Sequence, residues 1–426
     1  MIKNLYGVSL YRNAVYLMLS GALVPILGFV FWIVVARYFS SSDLGLANGL
    51  TSAIGILAMI SSFGLHLGLI RFLSGEKDKR GMINSCLTIS GVVCAILAVI
   101  FIRGLDVWMP KLSFLQVDLT LMVAFIIFAV MNVLYLMERN LFIAHRSTQF
   151  NLVLQITMVG SRIAVIAILF ALGTTHGLSS IFLSWGIALC LVVIVGGFFI
   201  RRLQPGYWPF PAVRKQVVND MMHFSFGNYL VELVGSALLW ILPLMVLSVI
   251  SAQANAYFFI AFSIAQAAYL APTKTAIALF AEGSNEPGEL RANIYRFIKI
   301  TCILLPIALA ILFLFGDKIL LLAGREYSDN ALNLLLILAL AAIPLAPFEL
   351  YMAIRRVQKK VKPIIYLTAF TLAFTLGASY LLISRLGVIG VGVAYSSAIG
   401  ISGIVVTIIM LREFMSTSRG RLEGNL

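Results

Sequence analysis

The sequence predicts an all-α polytopic membrane protein: twelve transmembrane helices in two six-helix lobes, a parallel 6+6 repeat around a central cavity. Composition is the first observation behind this. Hydrophobic residues make up 61% of the 426-residue chain and charged residues 11%, with a mean hydropathy of +1.02. Soluble domains carry about 25% charged residues, so the excess apolar surface must face something other than water. The second observation is that twelve apolar stretches are each long enough to cross about 30 Å of hydrocarbon at 1.5 Å per residue. The third is an internal echo at half the chain length.

In chain order, the N-terminal lobe is expected to hold spans near 13–36, 44–70, 83–102, 119–137, 151–172 and 178–200. The first run is too long for a signal peptide and no small-residue cleavage pattern follows it, so it counts as a span. The second opens after the Ser-rich turn in "ARYFSSSDLGLANGL" (36–50). The C-terminal lobe is expected near 224–247, 255–280, 297–315, 331–353, 363–384 and 388–411. Pro25, Pro243, Pro272, Pro306, Pro344 and Pro347 fall inside spans, where proline loosens a helix and permits bending. The Gly/Ala-rich "GVIGVGVAYSSAIG" (387–400) opens the last span with small residues at spacings of three and four, a pattern for close helix packing.

The echo has a constant offset. "ARYFSSSDLGLANGL" lies over "LSVISAQANAYFFIAF" (247–262) at a shift of 211, and "AHRSTQF" (144–150) over "IRRVQKK" (354–360) at 210. At 210, "HGLSSIFLSWGIA" (176–188) also lies over "LGVIGVGVAYSSA", superposing Gly177 on Gly387 and Trp185 on Tyr395. Six spans per repeat give both halves the same orientation, related by an axis along the membrane normal. The expected domains are residues 1–200, a cytoplasmic linker at 201–223, and residues 224–426 with a short cytoplasmic tail. In "RRLQPGYWPFPAVRKQ" (201–216), Pro stiffens the linker, while Tyr207 and Trp208 favour the interface.

Basic residues orient the chain. Twelve spans put both termini on one side, and the opposite side holds only Arg37, Arg103, Lys111, Lys318, Arg325 and Arg385. All other basic residues outside the spans fall on the side of the termini, which the positive-inside rule makes cytoplasmic. The formal charge of +14 is thereby accounted for by loops against anionic lipid, with no nucleic acid. The expected location is the cell (inner) membrane. Cys86, Cys94, Cys190 and Cys302 lie in or beside spans without metal-ligand spacing and read as small core residues, so no metal and no cofactor are expected. His66 reads first as a hydrogen-bonded packing residue and second as a titrating one.

Two basic residues, Arg162 and Lys274, lie within spans. A guanidinium at mid-bilayer costs at least about 2.5–3.5 kcal/mol, so Arg162 needs a reason. Asn151, Gln155 and Arg162 share one face of span five, a polar stripe climbing about 16 Å from the cytoplasmic end. Asn228, Glu232 and Ser236 form a second stripe on span seven. Glu232 and Lys274 lie at matching depth and are expected to pair, with Glu232 and Asn228 as candidate ion-coupling residues. Such a pair could equally do no more than fix helix register, and Arg162 could be satisfied by a carbonyl or a carboxylate. Glu349 reads as an interfacial residue.

The opening "RNAVYLML", followed by "VARYFSSSDLGLANGL" and "SFGLHLGLIRFLSG", resembles the first two spans of polysaccharide and O-antigen unit flippases. That family belongs to the multidrug/oligosaccharidyl-lipid/polysaccharide exporter superfamily. "LGVIGVGVAYSSAIGISGIVV" is similar to its typical last span. The resemblance implies a cargo of sugar units on a polyprenyl pyrophosphate, with cationic residues in the cavity holding the anionic group. The positions that fit are Arg162, Lys274, Arg37, Arg71 and Arg12, with Asn151 and Gln155 beside Arg162. The expected function is export of the lipid-linked oligosaccharide from inner to outer leaflet by alternating access, not enzymatic catalysis. Its expected partners are the polyprenyl-pyrophosphate-linked glycan, membrane lipid, a proton or sodium ion, and a glycan polymerase. The alternative is a cation-coupled multidrug antiporter, whose usually cationic cargo would favour acidic cavity groups. A membrane-embedded polymerase or ligase is disfavoured by the short external loops, near 103–118 and 316–330, and a plain scramblase leaves the repeat unexplained.

Overall fold

The computed structural model describes residues 27–173, 177–285 and 287–423, and among them every regular element is a helix. The helices are α1 (Leu27–Tyr38), α2 (Ser41–Ser62), α3 (Leu65–Phe72), α4 (Lys79–Arg103), α5 (Leu105–Trp108), α6 (Phe114–Val117), α7 (Leu119–Ala144), α8 (Thr148–Ala171) and α9 (Gly177–Leu203). They continue as α10 (Lys215–Val249), α11 (Ala252–Asn285), α12 (Leu290–Ala323), α13 (Arg325–Leu340), α14 (Ala342–Val357), α15 (Val361–Leu386) and α16 (Val388–Glu423). Among the described residues eleven stretches are long and apolar enough to cross a membrane, with α13 and α14 forming one of them. Helix α1 is shorter; the part of the first span expected from residue 13, with Arg12 before it, lies outside the described residues.

Helix boundaries recur through the chain. Ser40 caps α2, its hydroxyl oxygen accepting from the Asp43 N–H at 3.1 Å. Ser251, 211 residues on, accepts from the Ala254 N–H at 3.0 Å and opens α11 in the same way. A side-chain oxygen here satisfies an amide that the first helical turn leaves without a partner. The starts of α4 and α12 (Lys79 and Leu290), and of α9 and α16 (Gly177 and Val388), also differ by 211. Gly177 and Gly387 both adopt positive φ, 44° and 57°. The ends of α7 and α14 share a left-handed residue, Arg146 or Lys359. In each, a wide-ring bond closes the helix, Ser147 N–H to Phe142 C=O and Lys360 N–H to Arg355 C=O, both 2.9 Å. Their offset is 213 rather than the 210 read from "AHRSTQF", since cap geometry aligns backbone conformation and not the basic side chains.

The chain divides into two compact units, Met1–Ala256 and Tyr257–Leu426. Helix α10, expected to open the second lobe, packs within the first unit on α2 and α3. Glycines allow that approach: a Cβ on Gly49 would overlap the Leu247 side chain, and one on Gly55 would lie 2.5 Å from the Trp240 ring. The echo in the sequence repeats near half the chain length, whereas packing divides the chain at 256/257.

The 201–216 segment is fastened along α4. Arg214 pairs with Asp78, and the Arg80 guanidinium donates to the Pro205 carbonyl. The Asn84 amide donates to the Trp208 carbonyl at 3.1 Å, Thr88 Oγ1 accepts from the Ala212 N–H at 3.2 Å, and Ser85 Oγ from the Arg214 N–H at 3.1 Å. Arg201 sits 4.2 Å over the Trp208 ring. At the end of α7, His145 Nδ1 lies 3.0 Å from the Leu141 carbonyl and Nε2 lies 2.7 Å from Gln204 Nε2. A carbonyl only accepts, so Nδ1–H donates and Nε2 accepts from the amide: the bound ring is neutral. Burial, aided by the Lys79 charge and opposed by the Leu141 bond, lowers the His145 pKa. The tie is therefore complete above the ordinary histidine pKa of about 6.5 and lost as pH falls through the depressed folded value. Amides of 204–214 are expected to exchange deuterium faster on acidification, after correction for intrinsic rates. Unchanged protection would remove His145 from the tie.

Among the described residues two spans are broken, and beside each break a tyrosine hydroxyl donates to backbone carbonyls. Between α2 and α3, Phe63 and Gly64 both have positive φ (45° and 74°). The Tyr229 hydroxyl on α10 donates to the Met59 and Ile60 carbonyls at 3.3 Å. Gly64 is required there for space as well, because a Cβ would lie 2.8 Å from Tyr229 Cβ. In the second unit, α13 ends at Leu340 and α14 begins at Ala342, where Pro344 lacks the N–H that would continue the ladder. Tyr269 donates to the Leu338 carbonyl at 2.6 Å and Ser396 to the Ile337 carbonyl at 2.9 Å. Pro243, Pro272 and Pro306 stay inside continuous helices. The second unit also carries a buried polar stripe on α15, Thr368, Thr371, Thr375 and Ser379, with Thr371 bonded to Ser402 of α16 at 3.0 Å.

Candidate functional site

Four helices of the first unit build the site. Helix α8 presents Asn151, Gln155 and Arg162 on one face, as the spacing requires. Asn151 is 1% and Gln155 8% exposed, and the Gln155 amide donates to Asn151 Oδ1 at 3.2 Å. The same oxygen accepts from Arg139 Nε on α7 at 3.3 Å. Arg139 lies 5.6 Å over the ring of Tyr135, one turn before it. Arg162 stands between two rings, 5.8 Å from Phe31 of α1 and 5.9 Å from Trp185 of α9. Its Nε is buried with no hydrogen-bond partner among the described residues.

Arg139 was missed by sequence reasoning because span four was ended at 137 and Arg139 assigned to a loop. The helix runs to Ala144, and Leu141 and Phe142 are fully packed. The signal was present: "LFIA" (141–144) resumes the apolar pattern after one polar triplet. Glu138 was missed with it. This carboxyl is 3% exposed, faces Gly196 of α9 closely enough that any Cβ there would overlap it, and has an Oε2 without a described partner.

The other expected site residues are dispersed. Arg37 is exposed at the end of α1. Arg71 is exposed at the end of α3, on a cavity of about 410 Å³ with Ser74, Glu76 and Met221. Lys274 is exposed on α11 in the second unit, and Arg12 lies outside the described residues. On α10, Asn228 is exposed and Ser236 donates back to the Glu232 carbonyl at 2.7 Å. Glu232 takes a partner within its own unit: Oε2 lies 2.9 Å from Nε2 of His66, whose side chain is 1% exposed. The pair joins α10 to α3 just past the break at Phe63–Gly64.

Chemically, the α7–α8 cluster can hold an anion. It offers two guanidiniums without a carboxylate partner among the described residues, and rings and amides that orient them.

A family model described as polysaccharide biosynthesis protein matches residues 10–280. No curated protein matches the sequence. Among solved structures, the lipid II flippase MurJ in an inward closed conformation superposes with a TM-score of 0.73 at 14% identity, covering 94% of this chain and 87% of that one. An inward-facing multidrug resistance MATE family transporter of the MOP superfamily gives 0.72 at 13% identity, over 96% and 99%. An outward-facing MATE family transporter gives 0.59 at 14% identity, over 96% of each. At these identities the likeness is one of fold.

Proposed function

We propose that this chain, which belongs to the polysaccharide biosynthesis protein family, flips a polyprenyl-pyrophosphate-linked oligosaccharide, a polysaccharide or O-antigen repeat unit, from the inner to the outer leaflet by alternating access. The observation that carries the reading is Arg162: a guanidinium within a span, held by rings, with a buried Nε left unpaired. Buried polar groups are nearly always satisfied, and one that is not calls for an explanation such as a ligand. A pyrophosphate supplies fixed negative charge and oxygens that a guanidinium binds in bidentate fashion. The protein acts in the inner membrane with both termini cytoplasmic, its twelve helices arranged as six plus six, and it works beside the polymerase that consumes its cargo. The test is chemical: removal of the protein should accumulate its lipid-linked sugar in the inner leaflet. The antiporter reading draws only on the MATE-like folds, whereas the site described is cationic.

Transport is coupled to a proton or sodium ion at Glu232, with Asn228 one turn before it on α10, and the ion competes with His66 for the carboxylate. An ion biases alternating access only if it binds the two conformations unequally, and a carboxylate that can change partners meets that condition. Glu232→Gln, which keeps an oxygen for His66, is expected to lower the transport rate at least about fivefold and flatten its pH profile in liposomes. A full rate with an unchanged profile would remove Glu232 from coupling.

A further inference from the structure

Helix α4 changes character along one stripe. Gly81, Asn84, Ser85, Thr88, Val92 and Ile96 recur at spacings of three and four or their neighbours, and so share a face. The far part of that face is apolar and bare: Val92 and Ile96 are more than half exposed, as lipid-facing residues are. The near part is polar, and the 201–216 segment covers it. Between Met82 and Ile102 the helix carries no charged residue, a length of about 30 Å that equals the thickness of the hydrocarbon. The polar part therefore reaches into the apolar layer, where it needs a partner other than lipid.

The segment supplies that partner by climbing and returning. The Pro205 carbonyl meets Arg80, the Trp208 carbonyl Asn84 and the Ala212 N–H Thr88, each about one turn further along α4. Arg214 then comes back, its N–H to Ser85 and its guanidinium to Asp78, ahead of the helix. Thr88 lies six residues past Met82, about 9 Å into the layer. Irregular backbone is tolerated at that depth where protein meets its polar groups, and here α4 side chains do so. Pro205, Pro209 and Pro211 have no N–H to satisfy. The outward side suits lipid: Trp208, Phe210 and Val213 are more than half exposed, while Tyr207 is buried. Arg201 stacks on Trp208 at 4.2 Å, a cation and an indole where headgroups begin.

We infer that residues 205–214 form a re-entrant hook whose outer face inserts into the lipid leaflet, the cytoplasmic one in the orientation proposed above. Its partner is membrane lipid, with acyl chains against Phe210 and Val213 and anionic headgroups at Arg201 and Arg202. The expected cytoplasmic linker is thereby a membrane element. The hook does not depend on the cargo, so it stands or falls apart from the flippase reading.

The experiment uses the full chain in nanodiscs of phosphatidylethanolamine and phosphatidylglycerol. Cys86, Cys94, Cys190 and Cys302 are replaced by alanine and a nitroxide is attached through Phe210→Cys. Val92→Cys gives the lipid reference and Lys77→Cys, exposed ahead of α4, the water reference. At 210, collisions with oxygen should exceed those with a water-soluble nickel chelate at least about threefold, because a site about 5–10 Å below the headgroups excludes the chelate. If the cysteine-free chain fails to fold, the otherwise native chain reads the same face through Trp208. Lipids brominated high on their acyl chains should then quench, about twofold or more, the emission that Trp208→Phe removes, and aqueous acrylamide should not. Chelate access at 210 equal to that at 77 overturns the inference, as does Trp208 emission quenched by acrylamide and untouched by bromine. Exclusion of both oxygen and chelate also overturns it, since that is the pattern of a face covered by protein.

Discussion

Replacing Arg162 with leucine is expected to leave the protein folded in the membrane while glycan translocation falls by about two orders of magnitude. Truncating one side of a buried charge contact costs about 2–5 kcal/mol, roughly 30-fold or more in affinity. The structural cost points the other way. Among the described residues no hydrogen bond or ion pair reaches the guanidinium, so its removal orphans no partner. Leucine would pack against Phe31 and Trp185, rings already bordering the site. Insertion scales favour it over arginine by at least about 2.5 kcal/mol. Arg162→Lys should retain part of the rate, because a point charge remains while the bidentate fork is lost. Export of lipid-linked glycan from vesicles, measured beside the protein's thermal stability, separates the outcomes. Normal export with leucine would show that the cargo does not touch Arg162.

Gly45→Val is expected to produce the opposite pattern, a loss of folded protein rather than of transport per folded molecule. A Cβ at Gly45 would overlap the carbonyl oxygen of Ala252, and Asn255 donates to the Gly45 carbonyl at 2.7 Å. Both sides of this contact are backbone in helix starts, α2 against the first turn of α11, so neither yields by a rotamer change. Overpacking commonly costs about 1–3 kcal/mol, and a clash between two backbones belongs at or above the top of that range. The loss of a buried amide's acceptor adds to it. Gly160→Ala on α8 is the control: its Cβ would meet nothing within 4 Å, and alanine gains up to about 1 kcal/mol of helix propensity. Gel-filtration yield and melting temperature should fall sharply for Gly45→Val and hold for Gly160→Ala. Equal stability of the two variants would show that the α2–α11 contact is not closely packed.

The contact itself joins the two echoed segments, whose likeness was legible as Ser-rich turns opening helices. Serine caps at 40 and 251 follow from local chemistry, which sequence alone specifies. Their meeting through Gly45 and Asn255 does not, since a glycine in an apolar run says that something approaches closely and never what.

By itself the sequence determined the solvent, the helical content, the order of the described spans, the polar faces of α8 and α10, and the family. Each depends on local quantities: hydrophobic run length, 3.6-residue periodicity, cap residues and basic loop bias. Only the tertiary structure decided partners. It extended α7 past Glu138 and Arg139 because packing of Leu141 and Phe142 outweighs one polar triplet. It joined Glu232 to His66 because Phe63 and Gly64 turn the chain and set α3 against α10. It also bound the 201–216 segment to α4 by hydrogen bonds between the helix's side chains and the segment's backbone, which no composition rule anticipates. Depth along a helix is a count of residues, but which side chain stands opposite at that depth depends on helix rotation and neighbour choice, and those are settled by the whole packed core.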